Sequence, residues 1–224
     1  MKFSERLYEK LQPIWRKNHA HPFVQGLGDG TLAKEKFRFF MIQDYLYLID
    51  YAKLFALGAV KATNLETMGR FASLLNSTLN EEMSLHRQYA KKFGITEDEL
   101  ENATPSPTTL AYTHYMLHVG QNGTLAELVA ALLPCTWSYW EIGKELNQIP
   151  GASEDELYGE WIKMYSSEEF GQLALWCIEL LDNLTEELPE KELMRLEDIF
   201  LTTTRLEYMF WDMSFKLEMW PTDE

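Results

Sequence analysis

The chain has 224 residues, enough for one sizeable hydrophobic core, and its 46% apolar and 25% charged residues are ordinary for a globular protein. A formal net charge of −15 argues against nucleic acids and anionic membranes as partners, because both call for a basic surface. Two cysteines are too few for a disulfide framework, no CxxC metal site is present, and no apolar run approaches a membrane span. The first seven residues are charged and amphipathic, without the apolar core of a signal peptide, so a reducing cytoplasm is the expected setting.

Helical spacing runs from end to end. Phe3, Leu7, Leu11, Ile14 and Trp15 repeat with it until Pro22 and the glycines at 26, 28 and 30 interrupt. Those glycines follow a helix end instead of a strand, so they read as a turn and not as a dinucleotide loop. A mostly apolar helix is predicted over 31–61, and Asn64 caps another that runs to Gly94. Thr96 and Glu99 form a capping box opening a short helix, which Pro105 and Pro107 end. A helix over 108–119 follows, with Gly120 just past its end. Thr124 and Glu127 form a second capping box and start the helix that carries Cys135, which stops before Pro150-Gly151. Ser153 to Glu156 and Ser166 to Glu169 look like two further starts, and Pro189 suits the first position of a last helix reaching about Met219. Without alternating strands, repeats or linkers, residues 1–224 read as a single all-α domain.

Three helices place a reactive side chain on an apolar stripe. Cys135 shares its stripe with Leu128, Ala131, Ser138, Tyr139 and Ile142; Asp44 with Phe37, Phe40, Tyr47, Leu48, Tyr51 and Phe55; Glu207 with Phe200, Thr203, Thr204, Phe210, Trp211 and Ser214. An unpaired carboxylate in such a stripe costs several kcal/mol. On spacing alone, Cys135 is either a small core hydrophobe or a nucleophile facing a flat ligand among aromatic rings. Asp44 is either bonded to a nearby Tyr, Trp or Arg or used in chemistry, and Glu207 is either paired with Arg195 or Arg205 or reactive. Cys177 reads as core, and Trp137, on the far side of its helix from Cys135, reads as packing. His114 and His118 stand at i, i+4 without a third ligand and read as an exposed or hydrogen-bonded pair. Glu82 and His86 share that spacing but lack the paired Glu-Xaa-Xaa-His motifs of helical di-metal sites, so they are set aside as a metal site.

The motifs, taken in order, resemble the TenA family, the class II thiaminases or aminopyrimidine aminohydrolases. The likeness lies in His21-Pro22-Phe23-Val24-Gln25-Gly26-Leu27-Gly28-Asp29-Gly30-Thr31-Leu32, Gln43-Asp44-Tyr45, Ser106-Pro107-Thr108, Ala130-Ala131-Leu132-Leu133-Pro134-Cys135-Thr136-Trp137, Tyr139-Trp140-Glu141 and Glu207-Tyr208-Met209-Phe210-Trp211. These are scattered over more than 180 positions and all occur together, in the cysteine-bearing pattern of that family.

The resemblance implies a haem-oxygenase-like helical bundle assembled as a homotetramer, with no metal and no organic cofactor. It implies hydrolysis of 4-amino-5-aminomethyl-2-methylpyrimidine to the hydroxymethylpyrimidine and ammonia, and cleavage of thiamin at the same methylene, as steps of thiamin salvage. Cys135 is then the nucleophile that adds to the ring, Glu207 the general acid/base, and Asp44 the group that grips the ring nitrogen and 4-amino group. Tyr47, Tyr112, Tyr139, Tyr165 and Phe210 match positions that line the substrate pocket. Two other expectations stay open: a non-catalytic pyrimidine-binding or regulatory protein of the same fold, and an oxidative enzyme of the quinone-cofactor type, which the acidic, aromatic site suits poorly.

Overall fold

The computed structural model describes residues 1–222, the side chain of residue 81 aside. Among the described residues there are eleven α-helices and no strand: α1 Phe3–His19, α2 Pro22–Gly28, α3 Lys34–Lys61, α4 Leu65–Ser77, α5 Met83–Lys92, α6 Glu97–Glu101, α7 Pro107–Asn122, α8 Leu125–Asn147, α9 Gly159–Tyr165, α10 Glu168–Thr185 and α11 Glu190–Lys216. The chain divides into two compact units, Met1–Ala33 with Val129–Asp212, and Lys34–Leu128 with the residues from Met213 onward.

In the first unit α1 packs on α2 and α10. Phe3, Leu7, Leu11 and Trp15 are spaced four apart, fall on one face and are buried. The amide and hydroxyl of Ser4 donate to Asp182 of α10 at 2.8 and 2.9 Å, which sets a carboxylate at the electropositive start of α1. Arg6 and Lys10 both reach Glu197 of α11, and Arg6 also meets Glu190 at 2.6 Å. Glu197 is buried, and two cations answer its charge. Trp137 packs as expected, edge-on to Trp15 at 4.9 Å and stacked with Tyr8 at 5.8 Å.

In the second unit α3 is the central element, with α4, α5, α6 and α7 against it. Its buried residues cover a broad face that includes Phe37, Phe40, Tyr47, Tyr51 and Phe55, while Ile49, Lys53 and Val60 are exposed. Asn64 caps α4 as expected, accepting from the Thr67 amide at 2.8 Å. The helix it starts reaches Lys92 through a π turn at Thr78–Glu82. Such a turn inserts about one residue and so rotates everything after it by roughly 100°. Downstream of it, Met83, His86 and Ala90 are the buried positions of α5.

Both capping boxes read from the sequence form: Thr96 and Glu99 exchange bonds of 3.1 Å, and the Glu127 amide donates to Thr124 at 3.2 Å while the Thr124 amide donates back at 2.6 Å. Several boundaries differ. Pro22 does not break the chain but opens α2 behind the His21 cap, and Gly26 and Gly28 are helical; only Gly30 has a positive φ, 72°. Helix α7 passes through Gly120 to Asn122. No helix starts at Ser153; a 3-10 turn forms there and α9 begins at Gly159. Ser166 ends α9 by donating its amide to Ile162, so the cap of α10 falls on Ser167, which accepts from Phe170 at 3.2 Å. Helix α11 begins one residue after Pro189 and stops at Lys216, where Leu217 takes a φ of 58° and Glu218 bonds back to Met213.

One glycine controls a candidate site residue. A Cβ on Gly143 of α8 would lie 2.5 Å from the Tyr165 carbonyl carbon and 2.7 Å from the Ser166 nitrogen. Those are backbone atoms, which cannot swing aside. Gly143→Ala should therefore cost about 1–3 kcal/mol of stability, read as a lower denaturation midpoint; an unchanged midpoint would show that α8 and the end of α9 can separate freely.

Candidate active site

The helix carrying Cys135 is buried over its middle stretch. From Ala126 to Tyr139 every residue is buried except Cys135, which keeps partial solvent access. Pro134 immediately precedes it inside the helix, so the ladder there lacks one amide donor. The Ser138 hydroxyl turns back toward the Cys135 carbonyl at 3.5 Å. Cys177, by contrast, is 1% exposed and is core, as expected.

The first unit also holds Tyr139, Tyr165 and Phe210, singled out from the sequence. Tyr139, one turn past Cys135, meets Tyr165 edge-on at 4.8 Å and Trp211 at 5.0 Å. Trp161 lies 4.5 Å from Tyr165. Such tilted and edge-on pairs let the negative face of one ring meet the positive edge of the next. On α11, Glu207 is 2% exposed, and Phe210 and Trp211 follow it on adjoining positions of the same helix, both buried. The neighbouring Thr203 and Thr204 hydroxyls donate back to helix carbonyls at 2.8–3.2 Å, so these polar groups on the stripe are satisfied locally. The His21 ring, from the first motif, caps α2 through its Nδ1 and lies edge-on to Tyr208 at 5.2 Å.

The second unit holds Asp44, Tyr47 and Tyr112. Tyr47 and Tyr112 are buried with ring centroids 5.1 Å apart, and Tyr51 stacks on Tyr47 at 5.4 Å. Gln43 explains why its motif and the Ser106 motif occur together. Its side-chain oxygen accepts from the Ser106 amide at 2.9 Å and the Thr109 hydroxyl at 2.6 Å, while its nitrogen donates to the Thr104 carbonyl at 3.1 Å. The capped start of α7 is thereby tied to α3.

Asp44 is 6% exposed, and its partner is none of the Tyr, Trp or Arg types expected. His86 of α5 brings Nε2 to 3.3 Å from Asp44 Oδ2. Glu82, at the end of the π turn, joins them. Burial pushes its carboxyl above the ordinary range; the Thr78 hydroxyl opposes that shift, the nearby Asp44 charge adds to it, and His86 opposes it. Sequence reasoning weighed Glu82 and His86 only as metal ligands and set them aside. The signal that could have found them was the cost of an unanswered Asp44 on an apolar face. No group of three His, Cys, Asp or Glu residues with metal-holding geometry occurs among the described residues, and His114 and His118 are exposed. No helix among them is long and apolar enough to cross a membrane.

Because the folded state raises the Glu82 carboxyl above its unfolded value, the stability this contributes is whole below the unfolded pKa and is lost as pH rises through the folded one. Glu82→Gln has no such proton to lose. Its melting temperature should therefore gain on that of the wild type as pH rises above ~4. A difference independent of pH would mean that burial does not govern this carboxyl.

Known proteins share this arrangement of sequence and fold. The TENA/THI-4/PQQC family model matches residues 8–217. The aminopyrimidine aminohydrolase of Halalkalibacterium halodurans is 60% identical over 220 residues, 98% of each chain. A crystal structure described as a TenA family transcription regulator, from Silicibacter sp. TM1040, superposes with a TM-score of 0.88 at 34% identity, covering 96% of each chain. A Shewanella denitrificans domain described as having a haem-oxygenase-like fold aligns with a TM-score of 0.75 over 95% of this chain and 92% of that one, at 16% identity, and so bears on fold alone. The fold is the haem-oxygenase-like all-α one, and the chain belongs to the TENA/THI-4/PQQC family.

Proposed function

We propose that this protein is an aminopyrimidine aminohydrolase of thiamin salvage. It converts 4-amino-5-aminomethyl-2-methylpyrimidine to the hydroxymethyl compound and ammonia, and it cleaves thiamin to hydroxymethylpyrimidine and the thiazole alcohol. The 60% identity to the Halalkalibacterium enzyme over nearly the whole of both chains supports the activity. The observation that carries the chemistry is the accessible thiol of Cys135 in a helix that is otherwise closed from Ala126 to Tyr139. The family match runs across both compact units, which supports reading residues 1–224 as one functional domain.

The exocyclic methylene of an aminopyrimidine loses its amine poorly by direct displacement. In the proposed course the Cys135 thiolate adds to the ring carbon beside the one that bears the methylene, which ends aromaticity. The ring nitrogen lone pair then drives cleavage of the bond from the methylene to the amine, and ammonia leaves with a proton supplied by Glu207. Water adds to the exocyclic alkene, giving its proton to Glu207, and the thiolate departs as the ring recovers aromaticity. One hard step becomes several easier ones. Asp44 holds the ring nitrogen and 4-amino group and favours the electron-poor ring that addition needs. Tyr47, Tyr112, Tyr139, Tyr165 and Phe210 supply faces and hydroxyls suited to a flat heterocycle. The same reading carries a homotetramer and a reducing cytoplasmic setting, in which a thiolate persists.

The description of the Silicibacter relative as a transcription regulator favours a second reading, a non-catalytic pyrimidine-binding protein with a regulatory role. Turnover separates the two. The purified chain, given the aminomethylpyrimidine, should release ammonia and the hydroxymethyl product, and Cys135→Ser should slow this by roughly a thousandfold or more. Equal rates for wild type and variant would rule out covalent catalysis by Cys135, and no release from the wild type would favour the binding protein. Glu207→Gln should lower kcat by about 100- to 10,000-fold while changing product Kd little; a loss confined to Kd would make it a binding residue instead.

A further inference from the structure

Asp44 sits in a cluster of its own within the second unit. His86 presents Nε2 to Oδ2 at 3.3 Å, and the two side chains are only 7% and 8% exposed. Both imidazole nitrogens are buried and complete no hydrogen bond of good geometry. The Tyr45 ring lies 5.8 Å from the imidazole, and its hydroxyl donates to Glu101 at 2.7 Å and meets Arg87. Glu82 and the Thr78 hydroxyl come from the π turn. Among the described residues, these groups come to this spot from α3, the π turn, α5 and α6.

An imidazole used as core filling should have its nitrogens bonded, because burying two polar atoms costs free energy that packing does not return. Among the described residues the ion-pair partner of His86 is a single oxygen of Asp44 at 3.3 Å, with Glu82 also near enough to interact with the imidazole. The carboxylate torsion of an aspartate is broad and nearly two-fold, so a partner on one oxygen decides where the other points. Hydrogen bonds of this kind are often long before ligand is bound and tighten with it. Burial pushes the Glu82 carboxyl above its ordinary range, and the nearby Asp44 charge adds to that shift.

We propose that His86 is a positioning residue for Asp44, holding Oδ2 so that Oδ1 faces the ring nitrogen and 4-amino group of the pyrimidine. This rests on the reading of Asp44 as the pyrimidine-binding carboxylate. His86 itself touches no reacting atom; it acts through Asp44, and the π turn presents it. Its spacing from Glu82 is the by-product of a turn that brings both near Asp44 of α3.

A double-mutant cycle on the full chain tests it, with the Kd of 4-amino-5-hydroxymethyl-2-methylpyrimidine, the non-reacting product, read by calorimetry. His86→Ala should weaken binding roughly tenfold or more. His86→Gln, which keeps a neutral N–H donor at similar reach, should restore it to within about threefold of wild type. In an Asp44→Asn background, His86→Ala should change Kd by no more than roughly twofold. Should the alanine variant not fold, His86→Leu, which keeps volume and removes both nitrogens, takes its place in the cycle. The proposal is overturned if the His86 variants bind as wild type, or if their loss is equally large in both backgrounds. Wild-type affinity in Asp44→Asn alone would instead refute the pyrimidine-binding role of Asp44, a result distinct from either.

Discussion

One pairing recurs in both units of the protein: a buried polar side chain answered by a group on another element. On α3 it occurs twice in succession. Gln43 is answered by the Ser106 amide, the Thr109 hydroxyl and the Thr104 carbonyl, so the start of α7 is fixed to the middle of α3. Asp44, the next residue, is answered by His86 from beyond the π turn. In the first unit the buried Glu197 is answered by Arg6 and Lys10, and Asp182 by the first turn of α1. The Gln43 and Ser4–Asp182 matches replace lost hydration with bonds of defined direction, which makes these contacts more specific than apolar packing of the same area.

Burial also gives Cys135 its meaning. Over the middle stretch of α8 it is nearly complete, and a thiol in such a helix would ordinarily be filler. Its partial exposure, beside Pro134 and one turn from the Tyr139–Tyr165 ring pair, separates it chemically from Cys177, which has the same side chain and none of the access. Gly143 extends the point to geometry. By letting the Tyr165 carbonyl approach α8, a residue with no side chain sets where a ring of the candidate site stands.

Local features of this protein were legible because their causes are local. The boxes at Thr96–Glu99 and Thr124–Glu127 each need only residues three apart, and they form as read. The Asn64 cap, the helical class and the packing role of Trp137 follow from equally short-range patterns or from a helical face. Where two local solutions compete, the sequence misleads: Ser166 and Ser167 are both good caps, and the end of α9 takes the first for itself. Gly120 looks like a terminator, yet α7 continues to Asn122, and the glycine instead allows a close approach, with Leu54 of α3 3.0 Å from where a Cβ would sit.

By itself, then, the sequence determined an all-α chain, its caps, and the apolar faces on which Cys135, Asp44 and Glu207 lie, since helical periodicity and capping depend on neighbours within about four residues. The family motifs added the expected chemistry. Only the tertiary structure decided that His86 is the partner of Asp44 and that Cys135 alone between Ala126 and Tyr139 stays accessible. The first depends on a π turn that shifts the phase of everything after it. The second depends on which surfaces neighbouring helices cover, and neither is encoded in any short stretch of chain.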